Sequence, residues 1–283
     1  MIKGSAFSYK NLPNLGVGLG FRPQFLPDLL ANTNSVDFLE ITADHYFDAN
    51  ADKMAELQLL AKHFTLIPHC LNLSIGSAEG IDIEYLNKVK ILINFLKPPW
   101  WSEHIAFTQA DGVEIGHLTP LPFTNEAVEV VCKNIAFVKT QIQTPLILEN
   151  ITYAFTFPNP QLTETQFLTN ILEQSDTGLL LDVTNLYTNS VNFGFDITDF
   201  LSKILLERVV QLHFVGGHWQ NGTLIDSHAH PTPPEIWQLL ELVVNKTEIK
   251  GIILERDENI PPFEELLIEI NKAKEIVKNP TKT

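Results

Sequence analysis

Short, largely apolar runs alternate with longer stretches of helical periodicity along this chain. Leu15 to Gly20, Ser35 to Ile41, Phe64 to Ile67, Trp100 to Phe107, Leu146 to Leu148, Gly178 to Leu181, Val209 to Leu212 and Ile249 to Leu254 read as eight strands. Runs without polar alternation fit strands buried on both faces. Between them, Pro23 opens a helix, and further helix signals occupy Ala51 to His63 and Asn125 to Gln141. Leu86, Val89, Ile93 and Leu96 recur at helical spacing behind Asp82, a predicted N-cap, until Pro98 stops them. Prolines at 231, 233 and 234 precede a helix from Glu235, and a last helix sets Phe263, Leu266, Leu267, Ile270 and Val277 on one face. Eight strands alternating with helices predict an α/β fold, a single parallel (β/α)8 TIM barrel. An open doubly wound sheet is the alternative, but it would string the polar strand ends along an edge instead of gathering them in a ring. No repeat, low-complexity segment or linker divides the chain, so residues 1–283 read as one domain.

Composition narrows the partners. The 283 residues are 45% hydrophobic, enough for a large core, and carry a formal net charge of −15 with no run of Lys or Arg, which disfavours a nucleic-acid partner. The first sixteen residues, MIKGSAFSYKNLPNLG, lack the apolar core of a signal peptide, and no apolar run reaches membrane-spanning length, so a cytoplasmic protein without membrane contact is expected. Cys70 and Cys132 form no metal or redox spacing and read as reduced thiols. The glycines at 16, 18 and 20 lack the spacing of a dinucleotide fingerprint.

The chemistry gathers at the strand ends. Val210 to His230 holds four histidines and an aspartate: His213 closes a strand, a Gly216-Gly217 turn is expected to follow, and Asp226-Ser227-His228-Ala229-His230 reads as a loop. In a barrel all eight carboxyl ends converge on one face. Here they bring His69, His104, Glu149, Asp182 with Asn185, His213, Asp226, His228 and Glu255. Each alone is readily a hydrogen-bonded structural residue. Together, carboxylates at an apolar mouth need countercharge, and only Arg256 and Arg22 lie nearby in sequence. Bound cations supply it, and a nitrogen and oxygen donor set without thiolate suits iron, zinc or manganese. A multinuclear metal site with a bridging carboxylate is therefore expected, against a purely hydrogen-bonded polar ring.

LEIT-x-x-HYF, HCLNLSIGS, SEHIAF, LENITY, LLLDVTNLYTNS, QLHFVGGHW, LIDSHAHP and ILERD resemble, in order and over nearly the whole chain, the multinuclear non-heme iron-dependent oxidative enzymes, which include the methanobactin oxazolone synthase subunit. The resemblance implies a xylose-isomerase-like barrel, two or three irons, mixed-valent when active, molecular oxygen as co-substrate, and oxidation of cysteine in a ribosomally made precursor peptide. It further implies that His69, His104 and Glu149 hold one metal and that Glu149, Asp182, His213 and Glu255 hold a second, bridged by Glu149. Asn185, Asp226 and His228 would hold a third. Glu149, Asp182 and His213 are the implied catalytic core. In the implied mechanism the cysteine thiolate binds a ferric ion while a ferrous neighbour activates oxygen. Two positions depart from the family pattern: His45 where Asn is expected, and Ala229 where an acid is expected.

His218 and His230 fit an outer contact, a substrate contact or solvent; His63 and His117 read as surface residues. Trp100, Trp101 and Trp219 fit either a peptide groove or the core. Lys278 to Thr283 is too short for a peptide-docking domain, and the family resemblance implies that a separate partner protein supplies peptide recognition. Two other classes stay open: a divalent-metal isomerase or phosphodiesterase of the same barrel type, and a non-catalytic metal-binding scaffold.

Overall fold

Eight parallel strands, each four to six residues long, hydrogen-bond side by side until the first meets the last. The computed structural model describes residues 9–280. The N-terminal stretch read against a signal peptide, and the tail read as too short for a docking domain, lie partly outside these residues. In chain order the elements are β1 (Gly16–Gly20), α1 (Leu26–Ala31), β2 (Leu39–Thr42), α2 (Ala51–His63), β3 (Leu66–His69), α3 (Ile83–Leu96), β4 (Trp101–His104), β5 (Phe107–Ala110), β6 (Val113–Thr119), α4 (Asn125–Gln141) and β7 (Leu146–Glu149). They continue through α5 (Glu164–Ser175), β8 (Gly178–Asp182), α6 (Val183–Phe193), α7 (Ile197–Lys203), β9 (Val209–Phe214), β10 (Gly216–Gln220), β11 (Thr223–His230), α8 (Pro234–Lys246), β12 (Gly251–Leu254) and α9 (Phe263–Lys278).

The barrel runs β1-β12-β9-β8-β7-β4-β3-β2 and closes, as the alternation predicts. Gly16 pairs with Gly251 and Leu19 with Leu39, so the first strand seals the ring on both sides. The barrel interior is packed by Phe38, Ile67, Trp100, Ile147, Leu180, Val210 and Ile253, and a larger apolar shell fills the space between strands and helices. Trp100 and Trp101 belong to these cores and are fully buried, so neither lines a groove; Trp219 is 62% exposed.

Two features differ from the sequence expectation. The region after the fourth strand, read as extending to Phe107 and then as a loop, stops at His104 and gives way to an antiparallel hairpin of β5 and β6. The expected Gly216-Gly217 turn and the Asp226 to His230 loop are instead the paired strands β10 and β11. Both hairpins turn on a residue pair with positive φ, Asp111-Gly112 and Asn221-Gly222, as tight hairpin turns require. No helix among the described residues is long and apolar enough to cross a membrane.

Candidate metal centre

Strand register gathers the donors at the carboxyl ends of neighbouring strands. His104 lies opposite Glu149 across β4 and β7, and Asp182 opposite His213 across β8 and β9. His69, at the end of β3, pairs with Ser102 of β4, and Glu255 directly follows β12. Because side chains alternate inward and outward along a strand, this register turns one donor per strand into the mouth.

Three groups of donors result. His69, His104 and Glu149 form the first; Glu149, Asp182, His213 and Glu255 the second; and His228, Glu255 and Asp257 a third. Glu149 Oε2 lies 3.4 Å from His69 Nε2 and 3.5 Å from His104 Nε2, while its Oε1 lies 3.6 Å from His213 Nδ1. One carboxylate thus faces two groups with different oxygens. Glu255 Oε2 is shared similarly, 3.0 Å from His213 Nδ1 and 3.6 Å from His228 Nδ1.

Local structure dictates which atom of each residue faces inward. Asp182 caps α6, its Oδ1 accepting from Asn185 N at 2.8 Å, which leaves Oδ2 for the site. Asn150 bonds the Asp182 backbone in both directions, and its carbonyl takes the Asn185 side-chain N–H at 3.0 Å, so Asn185 Oδ1 is turned inward. His69 Nδ1 meets Ser102 Oγ at 2.7 Å, and His213 Nε2 lies 2.9 Å from Glu40 Oε1. Glu103 receives the backbone N–H groups of Leu73 and His104 and lies 3.3 Å from His104 Nδ1. Each ring is held by one nitrogen and offers the other, as metal-ligating histidines do.

The donor set fits divalent or trivalent metal on an observation independent of residue type. Glu149 Oε2, Asp182 Oδ2, Asn185 Oδ1, His213 Nδ1, Asp226 Oδ1 and His228 Nδ1 are buried polar atoms with no hydrogen-bond partner. Orphans of this kind are rare, because each costs about 1–3 kcal/mol. Several sit 3.0 to 3.6 Å from another donor without hydrogen-bond geometry. Neighbouring ligands of one ion at bond lengths of about 2.0–2.2 Å stand roughly that far apart.

Electrostatics tell the same story. Burial alone would lower the pKa of His213, but Glu40, Glu149 and Glu255 outweigh it and hold the ring well above its ordinary value. Burial likewise opposes His228, which Asp226 and Glu255 hold well above the usual range. His104 rises to about 9, burial being overcome by Glu149 and Glu103. Burial works against the charge of Glu255, yet His213 and His228 keep its carboxyl well below the usual range. For Asp182, burial, then Asp226 and Glu149, outweigh the relief from His213 and His228 and push it up to about 8. Metal ions must displace these protons. Cobalt(II) affinity is therefore expected to climb as pH rises from 7 to 9, with buffer-dependent proton release in calorimetry. A flat affinity over that range would remove His104 and Asp182 from the ligand set.

Sequence reasoning and geometry diverge around the third group. Asp226 Oδ1 lies 2.9 Å from His228 Nε2, whereas Nδ1 of the same ring faces Asp257 Oδ2 at 3.3 Å. Asp257, paired with Arg22, was not anticipated in the site, nor was Glu40. Asp257 carried a legible signal, an acid just beyond a strand end, whereas Glu40 lies inside β2. Arg256 is not the site's countercharge; it is buried and pairs with Glu269 of α9. His218 and His230 share a hairpin with ring centroids 5.4 Å apart, and His63 and His117 are exposed. His45 is exposed on the turn after β2, and Ala229 is buried.

Residues 16–278 match the model of a family described as RiPP precursor modification enzyme MbnB/TglH/ChrH, where RiPP denotes a ribosomally made, post-translationally modified peptide. A UPF0276 protein of Caulobacter vibrioides is 33% identical over 260 residues, covering 92% of this chain and 93% of its own. One from Rhizorhabdus wittichii is 35% identical over 262 residues, covering 92% and 94%. Among solved structures, a D-psicose 3-epimerase crystallised with D-fructose superimposes with TM-score 0.56 at 13% identity, covering 94% of this chain and 96% of its own. A putative xylose isomerase from Rhodospirillum rubrum gives 0.54 at 13%, covering 94% and 98%. At such identity these two share the fold alone.

Proposed function

Because the chain belongs to the MbnB/TglH/ChrH family of RiPP precursor modification enzymes, we propose that it is an iron- and oxygen-dependent enzyme that oxidatively modifies cysteine residues of a precursor peptide. The observation that carries this reading is Glu149, whose two oxygens face two different histidine groups inside a buried mouth. A carboxylate so placed would be a ligand common to both groups, as a multinuclear centre needs. Bound iron would supply one-electron and oxygen chemistry at His69, His104, Glu149, Asp182, His213 and Glu255, with Asn185, Asp226, His228 and Asp257 available to a further ion.

The chain's own part is to hold the ligands rigid and admit the peptide. The donors of the first two groups are buried on strand ends, so they move little and water reaches them poorly. A cleft of about 530 Å³ opens between β6, the segment after β7 and β11. Ile115, His117, Phe155, Ile225 and Asp226 line it. An extended peptide laid there brings a cysteine side chain to the third donor group. Recognition of the rest of the precursor is assigned to a separate protein. Exposed Val113 and Trp219 at the hairpins support a docking role for the rim.

The test uses iron-loaded protein, prepared without oxygen, mixed with a cysteine-containing precursor peptide and then aerated. Oxygen uptake with a mass change confined to cysteine is expected. No uptake and no spin-coupled iron signal, with any such peptide and with candidate partner proteins added, removes the oxidative reading. Zinc-loaded protein is expected to be inactive, and because such donors accept zinc readily, protein as purified is expected to need reconstitution.

A further inference from the structure

Polar side chains lie inside the barrel below the donors, where an apolar filling is the rule, among them Glu40, 3% exposed, and Gln211, fully buried. Burying an ionised carboxylate or an amide costs several kcal/mol unless partners compensate. Their partners form one chain. Trp100 Nε1 donates to Gln211 Oε1 at 2.8 Å, Gln211 Nε2 donates to Glu40 Oε2 at 2.6 Å, and Glu40 Oε1 faces His213 Nε2 at 2.9 Å.

We propose that Trp100, Gln211 and Glu40 are positioning residues for His213: they select the nitrogen it offers and make its metal position the more electron-rich of the two that share Glu149. The inference rests on His213 being a ligand. The indole N–H fixes the direction of the chain, because Gln211 must turn its oxygen to Trp100 and hence its nitrogen to Glu40. With Oε2 taken, the remaining oxygen of Glu40 selects the His213 form whose proton sits on Nε2. Gln211 Nε2 also lies 3.0 Å from that nitrogen, but two N–H donors do not attract, so the carboxylate is what orients the ring. The lone pair of Nδ1 is left facing Glu149 and Glu255, where that atom has no hydrogen-bond partner.

The first group lacks an equal device. His69 is backed by the neutral hydroxyl of Ser102. His104 is backed by Glu103 at the longer distance of 3.3 Å, and both oxygens of that carboxylate already accept backbone N–H groups. A close carboxylate raises the basicity of an imidazole ligand, and hydrogen bonding around the ligands sets a metal's potential. The asymmetry therefore favours the higher oxidation state on the His213 side.

Glu40→Gln removes the charge and keeps the shape. In cobalt(II) titrations monitored by visible absorption, the variant is expected to lose about 10–100-fold in affinity at one position, the size of effect that outer partners of ligands have, and to keep the other. In the iron-loaded protein one midpoint potential is expected to rise. Trp100→Phe frees Gln211 to turn and should shift both readouts the same way by less, about 2–10-fold in affinity. If Glu40→Gln does not fold, this second variant decides. Folded variants with wild-type affinity and potential would overturn the proposal, as would equal weakening at every position, which marks a merely structural role. A wild-type chain that binds no cobalt would overturn the metal reading beneath it.

Discussion

Glu149→Ala is expected to empty both principal donor groups at once. Its Oε2 serves the His69 and His104 side and its Oε1 the His213 side, and among the described residues Glu149 is the donor the two groups share. Losing an outer partner of a ligand costs about 10–100-fold in affinity or activity; losing a shared ligand should exceed that at each position. Turnover should fall below detection. Asp226→Ala, by contrast, touches only the neighbourhood of His228 and should chiefly remove a third ion. Metal stoichiometry with anomalous scattering on both variants separates the cases. A Glu149→Ala protein with its full metal complement, or an Asp226→Ala protein emptied throughout, would sink the assignment.

Gly217→Ala should strike the same centre from outside the barrel. A methyl group there would collide with the carbonyl oxygen of Ile225 on the facing strand β11, and backbone cannot swing aside as a side chain can. His228, three residues further on, already sits at φ 51° within β11 and is held there by Asp257 N, which donates to its carbonyl at 3.0 Å. Such a conformation is costly for a residue with a Cβ and persists only while its surroundings enforce it. Forcing β10 from β11 should cost about 1–3 kcal/mol, as overpacking does, and lower Tm by roughly 2–10 °C. His228 should leave the mouth while the first two groups, fixed by barrel register, keep their metal. An unchanged Tm with unchanged metal content at the third group would contradict this.

The contrast between barrel and hairpins marks what could be read from sequence. Leu146-Ile147-Leu148-Glu149 and Gly178 to Asp182 announced themselves, because a strand buried on both faces must be apolar until it reaches the mouth, and the first polar residue there faces the site. The strand ends, His69 to Glu255, were legible for that reason. The hairpins were not, because β11, Thr223 to His230, reads polar residues where a buried strand would show apolar ones. Asn221-Gly222 and Asp111-Gly112 were the available signals, and both are strong ones for a tight hairpin. Glu40 escaped for another reason: its inward direction depends on which residue of β2 pairs with β1 and β3, and register is a tertiary property.

Barrel closure also sets a timetable. Glu255 and Asp257 come last in chain order among the donors, and two of the three groups include Glu255. It reaches its place only when β12 slots between β1 and β9, the last strand joining the first. A ribosome releasing this chain from its N-terminus therefore presents His69, His104 and Glu149 before the second group is complete. Until Glu255 is made the second group lacks one of its four donors, so the joined site is complete only after synthesis has passed the final strand.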